Sequence, residues 1–297
     1  MKKCLYIIVW ITALGCLTAW VAEDSVQAPA KEVYYRQQAM VLLYHDVRSE
    51  LPPGDKGTST VSTTQLREHL RMLTEKGFHI LTMDDFVSFM LYGKHIPANA
   101  VLLTFDDGYE SFYKEAAPVL QQFRATAANF IVGESSDRFN PEAEPHLSWA
   151  QMRRLKAKGM GCYSHTYSLH RMAASEPDGA LRPALASRIF LKKANRAETE
   201  EQYRDRIYTD LAWMEKRLNQ ELGPQRFLLA FPYGAYNETV LEEARRAGIE
   251  LFFGIEEGMN VPGNRIVKRV NAGEPYMTAD TLWAHMQSII AKEAPKH

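Results

Sequence analysis

Val101-Leu102-Leu103-Thr104-Phe105-Asp106-Asp107-Gly108 is an apolar strand that ends in two adjacent carboxylates and a glycine. Along a strand, neighbouring side chains point to opposite faces. At the strand's end that rule relaxes, and both carboxylates can reach one pocket. One can hold a hard or borderline metal ion while the other stays free as a base. The plainer reading of the same residues is an Asp-Gly turn closing a hairpin. The stretch that follows, Tyr109 to Phe123, has a helical pattern instead, which makes this a strand-to-helix junction.

The same alternation continues on both sides of the junction. Strand candidates are 40–44, 78–81, 101–105, 127–132, 160–163, 227–231, 251–255 and 266–270. Helical patterns fill the gaps at 64–76, 83–91, 109–123, 149–158, 199–222, 238–247 and 279–292. Such alternation implies parallel strands with crossover helices. Seven or eight units of this kind suit a closed or nearly closed barrel better than an open sheet. Two segments break the rhythm. Ser49–Ser59, with Pro52, Pro53, Gly54 and Gly57, reads as a surface loop. Ala173–Arg196 is long and basic, as expected of a binding loop or lid, or else of a solvated loop.

The chain has 297 residues, with 46% hydrophobic and 24% charged residues, as in a soluble globular protein. A net charge of -1 gives no broad basic face, which argues against nucleic acid as a partner. Lys2 and Lys3 precede an apolar stretch from Leu5 to Ala22, the layout of a secretory leader. Its length is close to the roughly 20 apolar residues that span a bilayer. Three fates are open: cleavage after Ala28 or Ala30, retention as an anchor, or lipidation of Cys16. The expected organisation is a leader or anchor over residues 1–30, a linker over 31–38 and one domain over 39–297. Export follows, with the body at the cell surface or otherwise outside the cytoplasm. The 49–59 loop and the basic 182–196 stretch are candidates for contact with a membrane or cell wall, although solvated surface is the plainer reading of each. Of three cysteines, only Cys162 lies in the body, so an internal disulfide is excluded there. Cys162 reads as a small buried strand residue.

Reactive residues fall at four strand ends. Tyr44-His45-Asp46 follows the first strand, Asp106-Asp107 another, Ser164-His165 through His170 a third, and Phe231-Pro232-Tyr233-Gly234 a fourth. In an α/β barrel these ends converge on one face, where active sites sit. The five-residue spacing of His165 and His170 fits neither a helix face nor strand alternation, so it requires a bend. Together with Asp107 they form a His-His-Asp set that leaves coordination positions open for water and substrate. His45 then reads as an acid outside the ligand set, oriented by Asp46. Tyr233, after a proline in a tight turn, has a main-chain N–H able to face a developing oxyanion. Taken singly, each of these is equally a capping, structural or turn residue.

Thr104-Phe105-Asp106-Asp107-Gly108, the Ser-His…His segment and Phe231-Pro232-Tyr233-Gly234 resemble the polysaccharide deacetylases, the family 4 carbohydrate esterases. Tyr44-His45-Asp46 ahead of the Asp-Asp motif, the wide His spacing and Glu201-Gln202-Tyr203-Arg204-Asp205-Arg206-Ile207 are similar to the biofilm-exopolysaccharide branch, which acts on poly-β-1,6-N-acetyl-D-glucosamine. The resemblance covers nearly all of the chain after residue 38. It implies a distorted (β/α)7 barrel with a circularly permuted motif order, and one divalent ion: zinc, cobalt, nickel or iron. By position, it implies Asp106 as general base, Asp107, His165 and His170 as metal ligands, and the Tyr233 N–H as oxyanion donor. His45 takes the place of an acid histidine usually found near the C-terminus. The implied products are acetate and a partly deacetylated, cationic polymer for adhesion.

Two departures carry expectations of their own. The family has an arginine just before the Pro-Tyr pair that contacts the base, where this chain has Leu229-Ala230-Phe231. Without a substitute, the base's pKa should tend upward and the enzyme should be slow. There is also no C-terminal Leu-x-His motif, and His285 reads as a surface or packing residue. Two other functions compete: a peptidoglycan or chitin deacetylase, and a non-catalytic polysaccharide-binding protein on the same fold. A full metal triad with a spare carboxylate argues against the second. Tyr167, Trp149 and Phe231 are candidates for lining a sugar groove, though most aromatics in such a chain are core.

Overall fold

The computed structural model describes residues 32–51, 59–138 and 140–293. The expected leader and most of the 49–59 loop lie outside the described residues. In chain order the strands are β1 (Ala39–Tyr44), β2 (Asp46–Arg48), β3 (Thr60–Ser62), β4 (His79–Ile80), β5 (Ala100–Phe105), β6 (Ala128–Ile131), β7 (Gly161–Ser164), β8 (Met172–Ala174), β9 (Leu181–Pro183), β10 (Phe190–Leu191), β11 (Arg196–Ala197), β12 (Leu228–Ala230), β13 (Leu251–Phe253), β14 (Ile266–Val267) and β15 (Val270–Asn271). The helices are α1 (Thr63–Glu75), α2 (Met83–Tyr92), α3 (Ala117–Gln122), α4 (Gly133–Asp137), α5 (Trp149–Lys156), α6 (Glu200–Leu222), α7 (Glu238–Arg246) and α8 (Ala279–Glu293).

The main sheet is parallel and runs β14-β13-β12-β7-β6-β5-β1-β15, with β4 also paired to β5. Its two ends belong to one short segment: β14 pairs with β13 and β15 pairs with β1, with Lys268 and Arg269 between them. Asn260 fills the break, its amide bonding Lys268 O (2.9 Å) and Lys268 N (2.9 Å). This is the distorted (β/α) barrel expected from the sequence, with its seam at residues 266–271.

Strands covered on both faces read as unbroken apolar runs, and β1 and β5 are buried at every position. Alternation sorts their side chains into two cores. Val41, Leu102, Phe130, Ala230, Phe253 and Val267 form the inner cluster, which α2 joins through Phe86 against Phe253. Leu42, Leu103 and Phe105 face outward against α1 and α3, while Leu229, Phe231 and Phe252 face α6 and α7. Helix starts are written locally: Ser62/Gln65, Ser148/Gln151 and Thr199/Gln202 are reciprocal capping boxes. The stretch expected as one helix over 109–123 is split. Phe112–Ala116 is a π-turn and α3 follows, with Pro118 in its first turn. Pro118 has no N–H to give to the preceding turn.

Two expectations need correction. The linker assigned to 31–38 is part of the body at Tyr34 and Tyr35. Asn99 Oδ1 accepts from Tyr34 N (2.8 Å), and the buried Tyr35 hydroxyl donates to Ala100 O (2.8 Å). Composition there is polar, but the two aromatics find partners on the barrel. The 173–196 segment is also not a free loop. It forms the hairpins β8–β9 and β10–β11. Arg206 of α6 pins it through Glu198 (2.8 Å), Ala184 O (2.8 Å) and Ser187 O (2.9 Å). Cys162 is buried on β7, its thiol pushed up to about 12 by burial. Among the described residues, no helix is long and apolar enough to cross a membrane.

Candidate active site

The inward register of the strands builds the site. Leu102 and Thr104 point in, so Asp106 continues into the barrel's C-terminal mouth; His165 continues from Tyr163 and Arg269 from Val267 in the same way. Asp107 would face outward but for its backbone, which turns at φ +71° and returns the carboxylate to the same mouth. A non-glycine residue in this left-handed region carries strain of order 1–3 kcal/mol. Gly108 follows at φ +74°, where a Cβ would lie 3.0 Å from Ile131.

The bend required by the two histidines is present. Thr166 has φ +70°. The Asp210 carboxylate of α6 then accepts from Tyr167 N (2.9 Å), Ser168 N (2.8 Å) and the Ser168 hydroxyl (2.9 Å). The loop thereby curls back, and the His165 and His170 rings lie 4.7 Å apart. Asp107 Oδ1 stands 3.4 Å from His165 Nε2 and 3.2 Å from His170 Nε2. One ligand atom from each of the three lies within 4.8 Å of the others. His165 Nδ1 donates to Ala230 O (2.9 Å), so Nε2 is the ring nitrogen turned to Asp107 and, once its proton is lost, the one able to ligate a cation. Burial works against the charge on Asp107, yet the two histidines hold its carboxyl far below the usual range. Two imidazoles and a carboxylate, oriented from behind and open on one side, fit a divalent cation.

Asp106 is buried and bound in a fork by Arg269: Nη1 to Oδ1 at 2.7 Å and Nη2 to Oδ2 at 2.8 Å. Arg269 is itself buried, its Nε donating to Gly254 O (2.7 Å). Burial alone would push the Asp106 carboxyl up; Arg269, His165 and His45 outweigh it and hold the group below its ordinary value. The expected upward tendency is therefore reversed. The missing arginine near Pro232 has a substitute from the seam of the barrel, and the argument for a slow enzyme falls with it.

His45 lines the same cavity, of about 300 Å³, as Asp106, Asp107, His165, His170 and Tyr233. Its Nδ1 is buried without a hydrogen-bond partner among the described residues. Asp46 does not orient it. That carboxylate accepts from Ser111 (2.6 Å) and Arg48 (2.6 Å), because β2 turns it toward the 111 turn. Tyr233 sits at φ +57° in the Pro-Tyr-Gly turn, with its half-exposed ring 4.7 Å from that of His170. Tyr109, not singled out in the sequence, lines the cavity, and burial and Asp107 push its hydroxyl upward. His285 pairs with Glu257 (2.9 Å) at the surface. Of the proposed groove aromatics, only Phe231 lines the cavity, and it is buried in a stack with Tyr236 and Phe252. Trp149 and Tyr167 instead bond Asp137 (2.8 and 3.1 Å), because α4 brings that carboxylate between them.

Residues 93–252 match the family model of the polysaccharide deacetylases. The chain is 29% identical over 248 residues to poly-beta-1,6-N-acetyl-D-glucosamine N-deacetylase of Escherichia coli K12, covering 80% of this chain. It spans only 37% of that relative's length. A relative of the same name in Staphylococcus aureus (strain MSSA476) is 24% identical, with 82% of this chain and 81% of the relative covered. Among solved structures, the BpsB deacetylase domain of Bordetella bronchiseptica superposes with a TM-score of 0.69 at 27% identity, over 79% of this chain and 96% of that one.

Proposed function

Because this chain belongs to the polysaccharide deacetylase family, we propose that it hydrolyses N-acetyl groups of poly-β-1,6-N-acetyl-D-glucosamine, releasing acetate and leaving a cationic polymer. The observation that carries this reading is the Asp107–His165–His170 cluster in one cavity with Asp106, which Arg269 pairs. The names of the relatives support the polymer and its linkage.

Asp107, His165 and His170 would hold one divalent ion: zinc, cobalt, nickel or iron. Such an ion, when bound, polarises the acetyl carbonyl and acidifies water. Asp106 takes the proton from the attacking water, and Arg269 keeps it deprotonated and fixed in angle until then. The Tyr233 N–H faces the oxyanion that forms. His45 protonates the leaving nitrogen; its Nδ1 has no hydrogen-bond partner among the described residues. The leader-like residues 1–30 support a place outside the cytoplasm, at the cell surface, where the polymer lies.

The test is acetate release by the full chain, stripped with chelator and resupplied with each ion in turn, on β-1,6-linked and β-1,4-linked N-acetylglucosamine oligomers. Ion-dependent release with preference for the β-1,6 series is expected. Preference for the β-1,4 series would point to chitin or peptidoglycan. Polymer binding without release under any ion would leave only the binding-protein reading.

A further inference from the structure

The catalytic cavity is too small for a polymer, and the route out of it is marked. Tyr109 is shared between that cavity and a second one of about 350 Å³, bounded by β2 and the 144–145 turn. Glu110, Glu144 and Pro145 are shared in turn with a third cavity of about 880 Å³, toward α4. One loop, residues 140–147, forms the wall between them. It is tied to the Asp-Asp-Gly motif by Glu110 N to Pro145 O (2.8 Å) and Leu147 N to Gly108 O (2.8 Å). Between these bonds, Tyr109 and His146 form an antiparallel bridge, with ring centroids 5.2 Å apart at 36°. His146 Nδ1 donates to Glu144 O (2.8 Å), so its Nε2 is left as an acceptor with no bond to a described residue. Arg48 lines the second cavity and pairs with Asp46 (2.6 Å) and Glu144 (2.9 Å).

Between them the two half-buried rings line all three cavities, Tyr109 the first two and His146 the third. We propose that His146, backed by Tyr109, is a polymer-positioning residue: the sugars two and more places from the one being deacetylated pass over this pair and continue into the cleft beside Glu110, Asn140 and Glu144. The ring pair offers an apolar face to a sugar ring, and His146 Nε2 accepts from a sugar hydroxyl. The wall therefore acts on chain length. It adds affinity only for oligomers long enough to reach past Tyr109.

The identity of the ligand rests on the deacetylase reading above, and the experiment separates the two. In the full chain carrying Asp106→Asn, calorimetry measures binding of β-1,6-linked N-acetylglucosamine dimer and pentamer, with and without His146→Ala. The pentamer's Kd should weaken about fivefold, the dimer's should not change, and His146→Phe should restore part of the loss through its ring. In the otherwise unaltered enzyme, His146→Ala should raise KM for the pentamer and leave kcat unchanged. Equal effects on dimer and pentamer, no effect on either, or no pentamer binding at all would overturn the inference. Absence of acetate release from both oligomers by the unaltered enzyme would instead overturn the deacetylase reading. A His146→Ala chain that fails to fold is replaced by Asn140→Ala, for which the same length-dependent loss is required.

Discussion

Asp106 at the end of β5 and Glu215 in the middle of α6 are both 3% exposed, yet their pKa values move in opposite directions. Asp106 has a buried arginine forked onto it and stays ionised. Glu215 has no partner for either carboxylate oxygen among the described residues, and burial pushes its pKa well above the ordinary value. Burial alone therefore drives a carboxyl to its neutral form. What makes a base at neutral pH is the cation the fold supplies, and here it comes from the barrel's seam. Glu215 shows what the base position would become without it.

Four changes test that contrast. The largest effect is expected from Asp106→Asn, which should lower acetate release about 10³-fold while ion binding, followed by metal analysis, persists. Release that survives Asp106→Asn would remove the base from this position. Next, Arg269→Met should convert Asp106 toward the Glu215 condition. Chemical denaturation should show a loss of about 3–5 kcal/mol, because a buried charge is left alone, and the acidic limb of the pH–rate profile should move upward. An unchanged profile would mean that Arg269 is only packing.

A third buried group runs the contrast in the opposite sense. His69 accepts from the Tyr44 hydroxyl (3.1 Å) and donates to Met277 O (2.8 Å). Burial lowers its pKa from the ordinary 6.5 to about 4. Its folded pKa lies below its unfolded one, so the stability it contributes is present above 6.5 and is lost as pH falls toward 4. The loss should be on the order of 3 kcal/mol across that interval, measured by melting at each pH, and His69→Gln should flatten it. The smallest effect belongs to Glu215→Gln. The raised pKa of Glu215 means that its stability is present at low pH and fades as pH rises above the usual carboxylate range. The amide should gain on the native chain as pH rises above that range, by roughly 1–3 kcal/mol at most. A loss of stability at pH 8 would show that Glu215 has a partner after all.

The barrel was legible because parallel strands covered on both faces leave unbroken apolar runs, and capping residues mark where helices begin. The four strand-end motifs were legible for the same reason, since register carries each one inward. Arg269 was not, because it meets Asp106 across 163 residues of chain. The signal that could have found it was the pair of cations, Lys268 and Arg269, inside the strand candidate 266–270. A cation placed there must be paired in the interior. The role given to Asp46 failed because a neighbouring position in sequence does not fix where a strand turns its side chain. The hairpins of 172–197 were missed because strands of two or three residues leave no periodic pattern, and Arg206, which anchors them, lies on a different element.

The central claim is that three residues from two strand ends seat one divalent ion beside an ionised aspartate, and that acetate release depends on it. The most direct measurement follows acetate from a β-1,6-linked N-acetylglucosamine oligomer while a chelator-stripped chain is titrated with divalent ion, in parallel with His170→Ala. The account predicts no release before addition, release that saturates at one ion per chain, and neither binding nor release in His170→Ala. Full activity in the stripped chain, or stoichiometric ion binding that persists in His170→Ala, would contradict it.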